Sequence, residues 1–104
     1  MKLVEPTDFA ILEYLDSNGR NNAVNIGVAL DQKRAYMNTR LRALDDFGCV
    51  TRVGPAKNSG LYEITAKGRA ALDYRDAQHD PDVDFEQLIS TAAQSDEDSS
   101  YDHV

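Results

Sequence analysis

The chain has no tryptophan, one cysteine, three prolines and two histidines among its 104 residues. A lone Cys49 excludes an internal disulfide, and its place just after Gly48 among apolar neighbours reads as a small core residue, not a redox or metal group. His79 and His103 both stand beyond Arg75, and there is no Cys-x-x-Cys, His-Glu-x-x-His, glycine-rich phosphate loop or nucleophile elbow. The expectation is therefore no enzyme, no structural zinc and no cofactor. Long apolar runs are missing too: none approaches the ~20 residues that a membrane span needs, and the first stretch lacks a basic head with an apolar signal segment. This points to a cytoplasmic protein away from membranes. Lysine is used only four times, and aspartate outnumbers glutamate thirteen to five. Dense short carboxylates keep proteins soluble in molar salt, so the bias reads as halophilic.

Bases are absent from one end of the chain. Residues 1–75 hold all eleven Lys and Arg against nine acids, a net of +2, whereas residues 76–104 hold nine acids and no base, a net of -9. The overall charge of -7 is thus a property of the tail. Residues 31–69 carry eight bases against four acids, a net of +4 that is able to face phosphates. At this length one small domain with one modest core is expected.

The chain is organised around residues 24–53, VNIGVALDQKRAYMNTRLRALDDFGCVTRV. Upstream, Thr7 is suited to cap a helix whose face is Phe9, Ile11, Leu12 and Leu15, with Asp8 in its first turn and Ser17, Asn18 and Gly19 at its end. Ala23 and Val24 suggest a very short strand. Asn25 then caps a short helix, Ile26 to Leu30, in which Gly27 and Ala29 permit close helix approach. Asp31 is placed to cap a longer helix over about 32–47. Met37, Leu41 and Leu44 make its apolar stripe, Phe47 extends that stripe, and Gly48 stops it.

Opposite the stripe lie Ala35, Asn38, Thr39 and Arg42, with Tyr36 on one flank and Gln32, Lys33 and Arg34 at the first turn. These residue types suit a major groove: Arg and Lys donate to guanine O6 and N7, Asn pairs with adenine, and the Thr methyl touches thymine. Arg40, at the edge of the stripe, either braces the first turn or reaches a phosphate.

Residues 49–53 and 61–65 read as paired strands joined by a turn over 54–60, rich in glycine at both ends. This hairpin either only closes the core or works as a wing, with Lys57 and Asn58 at its tip and Arg52 as a flanking phosphate ligand. After a helix-turn-helix the wing is preferred. Thr65 caps a further helix from Ala66 to about Arg75. Beyond it come an acidic linker, a short amphipathic helix bearing Phe85, Leu88, Ile89 and Ala92, and a polar acidic end expected to be disordered. That helix either packs back on its own domain or pairs with a second copy, the latter preferred. Asp80, Asp82, Asp84 and Glu86 have the alternation of a calcium loop, but Phe85 stands where glycine is needed and Thr91 at the last ligand position, so they read as solvated carboxylates.

MNTRLRALDDFGCVTRVG followed by GLYEITAKGRAAL resembles the winged helix-turn-helix transcriptional regulators. The Tyr36-Met37 and Arg40-Leu41 pairs and the aspartate-rich composition are closest to the small haloarchaeal phage phi-H repressor-like family. Over residues 7–75 the resemblance implies an α+β, mainly α, fold: a three-helix core with a β-hairpin wing, here followed by a C-terminal helix and an acidic tail. The expected division is 1–75 for a DNA-binding domain, 76–94 for the linker and helix, and 95–104 for the tail. The implied function is sequence-specific binding of double-stranded DNA by a homodimer, as a regulator and most simply a repressor. Gln32-Lys33-Arg34-Ala35 departs from the Ser- or Thr-rich caps of many winged helices, so base preference does not transfer. The alternative is a winged-helix interaction module whose acidic tail binds a protein partner's basic surface or autoinhibits DNA binding.

Overall fold

A computed structural model describes the backbone of residues 1–56 and 59–101 and, over these residues, the side chains through residue 95. Five α-helices and one two-stranded hairpin follow in the order α1 (Thr7–Asn18), α2 (Ala23–Leu30), α3 (Arg34–Asp46), β1 (Val50–Arg52), β2 (Tyr62–Ile64), α4 (Ala66–Asp73), a 3-10 turn (Arg75–His79) and α5 (Phe85–Tyr101). The result is a mainly helical α+β domain. Among the described residues no helix is long and apolar enough to cross a membrane.

α1 buries Phe9, Ile11, Leu12 and Leu15, the face that its periodicity predicts, and ends where the Gly19 N-H returns to the Leu15 carbonyl at φ +79. Thr7 is not its cap. Pro6 holds that position, and Asp8 instead closes the entry by accepting from the Val4 N-H at 2.7 Å while its own N-H donates to the Val4 carbonyl.

The next cap is also displaced. Asn22, not Asn25, caps α2, its Oδ1 accepting from the Asn25 N-H at 2.9 Å. Ala23 and Val24 are therefore helical, and the short extended segment falls one step earlier, at Asn21, which exchanges two 2.9 Å backbone hydrogen bonds with Tyr62. Asn suits the cap because its short amide satisfies a backbone N-H that an apolar residue would leave unpaired, whereas the Asn21 bridge uses backbone groups alone.

Between α2 and α3 the chain turns at Asp31, which adopts the left-handed conformation (φ 55, ψ 48) as the C-terminal cap of α2. Asp31 thus caps the helix before it rather than the helix after it; aspartate is among the few side chains that tolerate this region. The turn passes so close to α2 that a Cβ on Gly27 would stand 2.8 Å from the Gln32 carbonyl oxygen. That approach is why glycine occupies the site. α3 begins at Arg34, and Met37, Leu41 and Leu44 are fully buried along it.

β1 and β2 pair antiparallel, Val50 opposite Ile64 and Arg52 opposite Tyr62, and Asn21 adds an isolated bridge to β2. Thr65 caps α4 by accepting from the Gly68 N-H at 3.1 Å, and its hydroxyl donates to the Gly48 carbonyl at 2.6 Å. α4 lies against the strand so tightly that a Cβ on Gly68 would collide with the Cys49 carbonyl oxygen and approach Ile64 Cγ1 to 2.7 Å.

The acidic third of the chain is part of this same domain. Phe85 and Ile89 of α5 join the core, with Ala92 packed against it. The helix therefore packs back on its own chain, and it continues to Tyr101 where a disordered end was expected from residue 95. The N-terminal lead is tied in as well: Leu3 is buried, and the Gln78 side chain grips its backbone, accepting from N-H at 2.8 Å and donating to the carbonyl at 3.2 Å. Asp80 and Asp84 accept from the backbone N-H groups of Asp82 and Gln87, and no cluster suited to a metal ion occurs among the described residues.

Candidate nucleic-acid interface

α3 has two unlike sides. Its inner stripe is sealed in the core, and its outer side presents Lys33, Arg34, Ala35, Tyr36, Thr39 and Arg42 to solvent, with Gln32 exposed just before and Asn38 half-buried. No side chain caps its N-terminus, where Lys33 is extended. Thr39 donates its hydroxyl proton to the Ala35 carbonyl at 3.1 Å, and Arg42 Nε donates to the Asn38 carbonyl at 3.3 Å. Both bonds hold the side chains against their own helix.

Ion pairing separates the bases of the molecule into two groups. Arg20, Arg40, Arg52, Lys67, Arg69 and Arg75 are paired with Glu63, Asp8, Asp45, Glu86, Asp16 and Glu13 respectively. Lys33, Arg34 and Arg42 have no carboxylate partner among the described residues. Lys2, at the N-terminal edge, is likewise without one, so three of the four such bases among the described residues gather on the outer side of α3.

Arg40 takes the bracing role of the two that its position allows. Its Nε and Nη2 donate to the two oxygens of Asp8 at 2.8 and 2.7 Å, across α1 and α3, and the Asp8 side chain has no exposed surface. The hydrogen bond to Asp8 raises the guanidinium pKa, against the lowering effect of burial, so the charge is held. Arg40 is thus placed in the framework, apart from the other named residues of its helix. A signal for this pairing exists in the sequence: Asp8, Leu12 and Leu15 fall at i, i+4 and i+7, so the carboxylate sits on the buried stripe and needs a partner there.

On the hairpin, Arg52 is exposed, lies 3.5 Å from Asp45 and stands 5.9 Å from the centre of the Tyr62 ring. Gly54 and Gly60 take positive φ values at the two ends of the turn, and Ser59 Oγ donates to the Val53 carbonyl at 2.6 Å. Lys57 and Asn58 lie outside the described residues. Cys49 is fully buried, and burial pushes its thiol up to about 11, which leaves a neutral core group.

One feature was not singled out in the sequence. Val24 and Val28, one turn apart on α2, are 49% and 81% exposed. They wall a cleft of about 630 Å³ together with Gly27, Asp31, Gln32, Lys33 and Arg34. A smaller hollow of about 250 Å³ adjoins it, lined by Asn22, Ala23, Val24, Arg34, Asn38 and Gly60. The signal lay in AVNIGVAL, which has more apolar residues than one helix face can bury. Comparison with known proteins returns no matching family model, no matching curated protein and no matching solved structure.

Proposed function

We propose that this protein is a sequence-specific DNA-binding regulator of the winged helix-turn-helix kind, acting as a homodimer in the cytoplasm, with α3 in the major groove and the hairpin turn on the flanking groove or backbone. The observation that carries this reading is the segregation of charge on α3: Lys33, Arg34 and Arg42 face outward without carboxylate partners among the described residues, while six other bases are paired. An unpaired guanidinium beside Asn38 and Thr39, on a helix whose small Ala35 permits close approach, matches the donor and acceptor edges of base pairs. The order of three helices, then a hairpin bridged by Asn21, supports the same docking geometry. A dimer would set its two α3 helices about one duplex turn apart, and occupation of the site would block polymerase.

In molar salt the Debye length is ~3 Å, so phosphate attraction is screened and recognition rests on close hydrogen bonds and apolar contacts. The test is selection of fragmented genomic DNA on the full chain in molar potassium chloride, beside an Arg34→Ala, Asn38→Ala double variant. Enrichment of a two-fold motif that the variant loses is the expected result. No enrichment by folded protein rejects the reading and favours an interaction module that uses the acidic C-terminal segment to bind a basic protein surface.

A further inference from the structure

The outer side of α3 is not the whole of the exposed surface at that edge of the molecule. Val24 and Arg34 line both adjoining hollows, so an aliphatic residue and an arginine with no carboxylate partner among the described residues border the same space. Scattered surface valines need no explanation. This one shares its concavity with two cationic residues, Arg34 and Lys33, and one acid, Asp31, and the hollow continues past Val28 and Gln32 on one side and Asn38 on the other.

DNA offers a target with the same two chemistries side by side. Guanine presents N7 and O6 as acceptors for an arginine fork, and thymine presents a 5-methyl group on the same major-groove edge. On one strand successive bases are about 3.4 Å apart. The methyl of a pyrimidine on the 5′ side of a guanine therefore borders the place where the guanidinium sits. Cytosine and uracil lack that methyl; thymine and 5-methylcytosine have it.

We propose that Arg34 and Val24 together read a 5-methylpyrimidine-guanine step, Arg34 donating to guanine N7 and O6 and Val24 packing on the 5-methyl group, with Val28 covering the contact from water. This rests on the DNA-binding reading above and adds a specificity that α3 alone does not supply, since Val24 belongs to α2. It also suits high salt, where a methyl contact is not weakened by screening as a phosphate contact is.

The experiment is a pair of selections by the full chain in molar potassium chloride, from genomic fragments amplified with thymidine and from the same fragments amplified with deoxyuridine. Duplexes carrying the selected site with T, U, C or 5-methylcytosine before the guanine, each correctly paired, are then titrated by fluorescence anisotropy. The expected result is a selected T-G step, about fourfold weaker binding with U than with T, and about fourfold stronger binding with 5-methylcytosine than with C, the value of one buried methyl. Val24→Ser, which changes a half-exposed residue, should erase both differences and keep the preference for guanine.

A motif without a pyrimidine-guanine step, or equal binding of T and U, overturns the proposal while DNA binding stands. U and T differing equally in wild type and in Val24→Ser overturns it as well, because the methyl would then be read elsewhere. Failure of both libraries to enrich any site overturns both this proposal and the regulator reading.

Discussion

Two arginines six residues apart on α3 have opposite surroundings. Arg40 turns inward and holds a carboxylate with no exposed surface, whereas Arg34 turns outward beside a cleft and meets no carboxylate among the described residues. The side chain is the same, and the partner decides the role. Two charges removed from water are costly singly and tolerable together, so Asp8 and Arg40 form part of the framework. A charge left in water costs the fold little and is available to a ligand.

The contrast can be broken at its inner member first. Asp8→Ala strands the Arg40 guanidinium and should cost about 3–5 kcal/mol, read as a lower denaturation midpoint in urea. Arg34→Ala in the same assay should change stability by less than about 0.5 kcal/mol and instead weaken discrimination among DNA sites by about 1–3 kcal/mol. Equal stability losses from the two substitutions would erase the distinction. Gly68→Ala probes the framework without touching charge. Its methyl meets the Cys49 carbonyl and Ile64, so a loss of about 1–3 kcal/mol or more is expected in the same unfolding assay.

A gentler probe is pH. The Cys49 thiol titrates near 9.0 when unperturbed and near 11 in the folded protein. Its contribution is therefore fully present below pH 9, and between these values the unfolded chain loses a proton that the native chain keeps. Stability should fall there by about 1.4 kcal/mol per pH unit relative to a Cys49→Ala variant, measured by urea unfolding at stepped pH. The smallest effect on the fold is expected from deleting residues 96–104, which removes Asp96, Glu97, Asp98 and Asp102 but spares Phe85 and Ile89. Urea unfolding should register little change. A rise in DNA affinity of the shortened chain in a titration would show that those carboxylates compete for the basic face of α3. A cut after Arg75 is a different experiment, since it would open the core.

Much of the framework was legible because it depends on period and punctuation. Phe9, Ile11, Leu12 and Leu15, and again Met37, Leu41 and Leu44, recur at helical spacing, and each set is buried. Thr65 caps α4 as its hydroxyl and the following helix suggest. Caps failed where several neighbouring residues could do the same work: in Asn21-Asn22-Asn25 the choice fell to Asn22, and Asp31 was needed at a left-handed turn. The candidate surface was legible only as a face, since periodicity places Ala35, Asn38, Thr39 and Arg42 opposite the stripe, with Arg34 at the first turn, without saying which cations find partners. At the acidic end the sequence leaves two placements open for its helix, because nine carboxylates are interspersed with nine apolar residues over 76–104, and packing settles the choice by seating Phe85 and Ile89 in the core.

The amino-acid order by itself determined the succession of helices, the inner stripes and the concentration of positive charge before residue 76. These follow from local geometry, in which a side chain's direction is set by its place in a 3.6-residue repeat. Tertiary structure decided that Arg40 belongs to Asp8, that Gln78 holds Leu3, and that Val24 and Arg34 line the same hollow. Those pairings join residues from different elements, and only the packing of the elements fixes which groups come within reach of one another.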